Sequence, residues 1–293
     1  MTPADDPWQS AGEIAGGDGR RMRLWTAGSG EALLLLHGFP LDHRMWDGQR
    51  ALVAPGGALA GRFRLLAPDL PGFGASPAPA ATSIAAMADD VAALVAAAAG
   101  GPAVVCGLSM GGYVAQHLAA RHPGLLRGLV LVDTRLEADT PEARAARADL
   151  AARVERLGAG IAAEAMLPRL VSRGPGAALD TPPVPRRPRV EEDLRGTIGA
   201  TSCDTIRRAL GALAERPDMT AAAAAFDLPT LLVVGADDAI TPPECLEHAA
   251  AVIPGARLAV VPGCGHLTPL EDPPAFNAAL AAFLESLPRP TAA

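Results

Sequence analysis

The chain has 293 residues, 49% of them hydrophobic, and a formal net charge of −7. That length and apolar content suit one large α/β domain with an insertion, or two smaller domains. The negative balance excludes a nucleic-acid partner gripped by a basic face.

Residues 1–13 contain Asp5 and Asp6 and no apolar run, so no secretory signal is expected there. No stretch approaches the roughly 18–20 apolar residues of a membrane span. The expectation is a cytoplasmic protein with no membrane partner, a monomer or a homodimer. Glu13–Ala15 and Arg20–Thr26, joined by the glycine-rich turn Gly16-Gly17-Asp18-Gly19, predict an antiparallel hairpin. Six short apolar runs follow: Ala32–Leu36, Phe63–Ala67, Ala103–Cys106, Leu129–Val132, Thr230–Val234 and Arg257–Val261. Continuous rather than alternating runs are the mark of strands buried on both faces of a parallel sheet. Helix-like segments lie between or after them. These are Ser83–Ala99 with Thr82 or Ser83 as cap, Gly112–Arg121, Pro242–Val252 with Thr241 as cap, and Ala275–Leu287. Alternation of strand and helix predicts a parallel α/β sheet.

The alternation stops between about Arg135 and Phe226, where Ala, Arg and Glu dominate and helices are expected. The run Pro182-Pro183-Val184-Pro185-Arg186-Arg187-Pro188 must interrupt them as a loop. The predicted division is a core of residues 1–134 and 221–293, with residues 135–220 inserted as a helical lid. Cys106, Cys203, Cys245 and Cys264 form no C-x-x-C pair, so neither a disulfide framework nor a zinc site is expected.

Gly107-Leu108-Ser109-Met110-Gly111-Gly112 follows a strand run and opens a helix. A G-x-S-x-G elbow needs that setting: the turn is tight, and side-chain-free flanks avoid clashes. It lifts Ser109 to a helix N-terminus, where the Met110 amide faces a developing oxyanion. A bare G-x-S-x-G is common, and its plain reading is a glycine-rich turn with a capping serine. A serine hydroxyl also needs a base, and His266, just after the last strand run, is the candidate. The base needs an orienting carboxylate, and the loop Gly235-Ala236-Asp237-Asp238 offers two. The chain order Ser, Asp, His is the one this architecture uses. Each of the three follows the carboxyl end of a strand run, where open α/β sheets place their sites. His37-Gly38-Phe39-Pro40 is the candidate loop for a second oxyanion donor. Phe39 would supply the N–H, since Pro40 has none.

His37-Gly38-Phe39-Pro40, Asp69-Leu70-Pro71-Gly72-Phe73-Gly74, Gly107 to Gly112, Gly235 to Pro242 and Gly265-His266 together resemble the motif series of the α/β-hydrolase superfamily. They span nearly the whole chain outside the lid. Leu41-Asp42-His43-Arg44-Met45-Trp46 and Ala214-Glu215-Arg216-Pro217-Asp218 resemble most the 3-oxoadipate enol-lactonase-like branch. The resemblance implies a mostly parallel eight-stranded sheet flanked by helices. It also implies Asp238 rather than Asp237 as the acid, by its place between glycine and proline.

The remaining residues carry weaker signals. His43 and Trp46 are candidates for the pocket wall, against a plain reading as packing residues. Arg135 is a candidate partner for a substrate carboxylate, against a plain reading as a surface arginine. Asp133 reads as a strand-end residue or an alternative orienter. The function expected is hydrolysis of a small-molecule ester or lactone through a Ser-His-Asp triad, with neither metal nor organic cofactor. Carbon–carbon bond hydrolysis and peroxide-dependent perhydrolysis use the same triad. A receptor that binds a small molecule without turning it over is the alternative of another class.

Overall fold

The computed structural model describes residues 8–16, 19–174 and 188–288. The first strands are β1 (Gln9–Ala15), β2 (Arg21–Gly28), β3 (Glu31–Leu36) and β4 (Phe63–Pro68). Helix α1 (Ile84–Ala98), β5 (Ala103–Leu108), α2 (Met110–Arg121) and β6 (Leu126–Val132) follow. Between β6 and β7 lie α3 (Pro141–Leu157), α4 (Gly160–Leu170), α5 (Pro188–Ala200), α6 (Cys203–Ala214) and the short α7 (Thr220–Ala223). The chain closes with β7 (Thr230–Gly235), α8 (Pro243–Val252), β8 (Arg257–Val261), α9 (Thr268–Glu271) and α10 (Pro273–Ser286).

One eight-stranded sheet runs in the order β1-β2-β4-β3-β5-β6-β7-β8. β1–β2 and β2–β4 are antiparallel, and all later pairs are parallel. The continuous apolar runs occupy its centre: β5 and β7 are buried at every residue, as parallel strands covered by helices must be. β8 departs from that pattern. Its run has the same composition, yet it forms the sheet edge and leaves Val260 exposed.

Helix boundaries follow their caps. The Ser83 side chain accepts from the Ala86 amide to open α1. Asp272 caps α10, which starts at Pro273, two residues before the expected Ala275, because Pro273 and Pro274 are compatible with a first helical turn. Thr241 does not cap α8: the helix starts at Pro243, and the Thr241 hydroxyl is turned toward Asp238 instead. Residues His43–Leu52 form a 3-10 helix capped by Asp42. Gly17 and Asp18 of the predicted turn lie outside the described residues, as does the predicted proline-rich loop from Pro182 to Arg187.

The inserted helices meet the core on the loops that follow β3 and β4. Thr201 donates to the Pro40 carbonyl, and Thr205 donates to that of Gly72. The insertion's two ends are fastened together. Arg216 is buried, donates to Asp139 (2.7 Å) and to the Glu137 and Leu213 carbonyls, and lies 4.1 Å over the Tyr113 ring. Asp139 also pairs with Arg147. Removing one partner of a buried ion pair strands the other's polar groups. Arg216→Met is therefore expected to cost about 3 kcal/mol, read as a lower urea midpoint at unchanged slope. An unchanged midpoint would show that the cluster contributes nothing net.

Candidate active site

Ser109 stands between β5 and α2 with φ 50° and ψ −111°, a backbone conformation that L-residues rarely adopt. The surrounding structure holds it there. The Ser109 amide donates to Val132, and Thr134 donates its hydroxyl to the Ser109 carbonyl. The flanking glycines are required by close approach. A Cβ at Gly107 would overlap the Gly111 carbonyl, and one at Gly111 would overlap that of Leu36. The loop after β3 packs on the same elbow: a Cβ at Gly38 would lie 2.8 Å from Leu108 and 3.6 Å from the Ser109 Cβ. Phe39 follows Gly38 in that loop, and Met110 follows Ser109 in the elbow. Among the described residues, no acceptor meets either N–H.

The Ser109 hydroxyl lies 2.9 Å from Nε2 of His266, and Nδ1 of His266 lies 2.8 Å from Oδ2 of Asp238. A carboxylate only accepts, so Nδ1 carries the ring proton and Nε2 is left to accept from serine. Asp238 is saturated with donors. Ile240 N and Thr241 N reach Oδ1, and the Thr241 hydroxyl reaches Oδ2 at 2.7 Å. Burial works to raise the Asp238 pKa, but His266 and these donors hold it below the ordinary carboxylate value. Burial likewise disfavours the His266 cation, yet Asp238 and Asp133 outweigh burial and raise its pKa above 6.5. A hydroxyl, an imidazole and an ionised carboxylate in this relation can attack a carbonyl and shuttle the proton.

Asp237, the other carboxylate of the loop, accepts instead from the Ser172 hydroxyl at 2.6 Å. Asp133 makes no hydrogen bond to the ring. It accepts from Gly235 N, Thr268 N and the Thr268 hydroxyl, so one carboxylate ties the loop of Asp238 to the segment after His266. Its complete burial, then the nearby Asp238, push its pKa to about 7.

The three weaker candidates separate. Trp46 has no accessible surface and packs 6.2 Å from Phe276 between ring centroids, so it cannot line an open cavity. His43 is also buried, stacked 4.4 Å from Trp25 with Nδ1 2.8 Å from Asp69. Both are packing residues. Asp42, His43 and Asp69 form a buried acidic group. Asp69 accepts from the His43 amide and ring, Trp25 Nε1 and Ala75 N, while Asp42 pairs with Arg44. These bonds make the group a brace for the turn ending near Gly74. Arg135 donates to the Ile240 carbonyl of the acid loop, close enough for its charge to oppose the His266 cation.

Sequence reasoning missed Thr241 and Thr134, which bond Asp238 and the Ser109 carbonyl, and Glu271, which accepts from the Gly265 amide next to His266. Thr241 carried the signal of a helix cap, and Glu271 that of an acidic residue in a first helical turn. Cys264, two residues before His266, is buried and offers no access to a thiol reagent.

The family described as alpha/beta hydrolase fold matches residues 31–273. A pimeloyl-[acyl-carrier protein] methyl ester esterase of Chromobacterium violaceum is 37% identical over 266 residues, covering 89% of this chain and 97% of its own length. The structure of a thermophilic esterase from Thermogutta terrifontis superposes with TM-score 0.83 at 39% identity, over 94% of this chain and 98% of that one. An enol-lactonase from Burkholderia xenovorans superposes with TM-score 0.80 at 26% identity, over 95% of this chain and 100% of that one.

Proposed function

The chain belongs to the α/β-hydrolase fold family, and on that footing we propose that it hydrolyses a carboxylic ester of a small molecule through an acyl-enzyme. The observation that carries this reading is the hydrogen-bonded chain Ser109–His266–Asp238, at 2.9 and 2.8 Å. The Phe39 and Met110 amides, which meet no acceptor among the described residues, support the same reading.

In the proposed cycle Ser109 Oγ attacks the ester carbonyl while its proton passes to Nε2 of His266. The Phe39 and Met110 amides stabilise the tetrahedral oxyanion. Collapse breaks the bond to the alcohol oxygen, which leaves with the proton from Nε2. Water then attacks the acyl-enzyme, gives its proton to Nε2, and the acid is released with the serine hydroxyl restored. Asp238 stays ionised, orients the ring and stabilises its cation. Residues 135–220, which carry α3–α6, serve as the lid, and Arg135 stiffens the acid loop.

The Chromobacterium relative acts, by its name, on a methyl ester, which supports an ester with a small alcohol leaving group. A lactone, whose acyl and alcohol halves stay joined, is the second reading. The likeness to the Burkholderia enol-lactonase favours it. The test is to treat purified protein with a fluorophosphonate and map the adduct by mass spectrometry. Labelling of Ser109, with turnover of methyl esters or lactones, is expected. A label on another residue, or labelling without turnover of either class, would sink the proposal.

The pH profile gives a second check. Catalysis requires neutral His266, so kcat/KM should rise with pH as the ring loses its proton. Asp238 and Asp133 raise its pKa, so the midpoint of the rise should lie above the 6.5 of an ordinary imidazole. Initial rates between about pH 5 and 9 read this directly, and a midpoint below the ordinary value would contradict it.

A further inference from the structure

The insertion does more than lie over the loops after β3 and β4. At the end of α4 the segment Leu170–Ser172 runs against the loop that carries His266. The His266 amide donates to the Leu170 carbonyl at 3.0 Å. The buried Glu271 carboxylate spans the two segments: Oε2 accepts from the Ser172 amide and Oε1 from the Gly265 amide, each at 2.8 Å. The backbones themselves touch. A Cβ at Gly265 would lie 2.6 Å from Ser172 N and 2.9 Å from Val171 C, so only glycine permits this approach. The Ser172 hydroxyl adds a bond to Asp237 on the acid loop. One short stretch of the insertion is thus fastened to both loops that bear the base and its acid.

We infer that Glu271, together with the Leu170–Ser172 segment, is a positioning element for His266, setting the ring against Ser109 only while that segment is docked. This rests on the reading of Ser109 and His266 as nucleophile and base. The physical reason is that residues 263–267 belong to a loop, and a loop backbone is held only by what its amides bond. Two consecutive amides of that loop, Gly265 and His266, have their acceptors on Glu271 and Leu170. Glu271 touches neither substrate nor reacting atoms. Its effect is on where Nε2 sits, and a displacement of about 1 Å at a reacting group can cost about 100-fold.

The test compares wild type with Glu271→Gln, which keeps the shape of the side chain but turns one of its two acceptors into a donor. On p-nitrophenyl acetate, kcat should fall about 10- to 100-fold with KM within about twofold. The rate at which a fluorophosphonate labels Ser109 should fall in parallel. A purely structural role for Glu271 would lower the melting temperature and leave kcat of the folded enzyme unchanged, and that result overturns the inference. Should Glu271→Gln fail to fold, hydrogen exchange of the wild type decides. The Gly265, His266 and Ser172 amides should exchange in one common opening, and independent exchange of Ser172 would overturn the coupling. Absence of Ser109 labelling in wild type would instead defeat the serine-hydrolase reading itself, whatever Glu271 does.

Discussion

Ser109→Ala is expected to lower kcat for ester hydrolysis by about a millionfold, down to what the oxyanion amides and binding alone provide. The loss is large because the hydroxyl, 2.9 Å from Nε2, is the group proposed to attack. Without it the imidazole and Asp238 have no proton to shuttle, so their contributions vanish together rather than adding. The fold should survive, since the Ser109 side chain makes no capping bond to α2. Ser109→Gly sharpens the test. At φ 50° and ψ −111° a glycine is unstrained while serine is not. The glycine variant should be equally inactive, yet more stable than wild type by about 1 kcal/mol. Denaturant unfolding and ester turnover on the two variants read both effects. Residual activity above a thousandth of wild type in Ser109→Ala would require another nucleophile.

Asp238→Asn should lower kcat by about four orders of magnitude, through the proton on the ring. Ile240 N and Thr241 N both donate to Oδ1, so an asparagine must keep its oxygen there. Its NH2 group then occupies the place of Oδ2, facing Nδ1 of His266. A donor opposite Nδ1 forces the tautomer protonated at Nε2, which cannot accept from Ser109. Loss of the anion also removes the first of the influences that raise the His266 pKa, so the acid limb should move to lower pH. Asp237→Asn, altered at the carboxylate bonded to Ser172, is the control and should keep that limb in place. If the two variants lose activity equally, Asp238 is not the orienting acid.

Much of this architecture is legible in the sequence because a parallel sheet writes its strands as unbroken apolar runs. The residues after those runs, Ser109 after β5 and Asp238 after β7, are then placed by topology alone. His266 follows β8 in the same way, although β8 is an edge strand with two of its five residues exposed. What was not legible depends on contacts far apart in the chain. Whether Trp46 faces a cavity or the core is decided by Phe276, and His43 by Trp25 and Asp69. Thr241 followed by Pro242 and Pro243 looks like a helix start. Only the fold shows that Asp238 claims its hydroxyl. The role of Asp133 is likewise set by Gly235 and Thr268, both more than a hundred residues away.

The Asp139–Arg216 pair has a consequence for exchange of parts. Because the entry and exit of the insertion are pinned side by side, 2.7 Å apart at their charged atoms, the stretch between them forms a cassette with adjacent ends. A cassette of that kind can be lengthened, shortened or transplanted between chains without re-routing the sheet, so that its length and sequence are separable from the fold. The separation has one condition. If Glu271 and residues 170–172 position His266 as we infer, a grafted cassette must present a carbonyl where Leu170 does and an amide where Ser172 does.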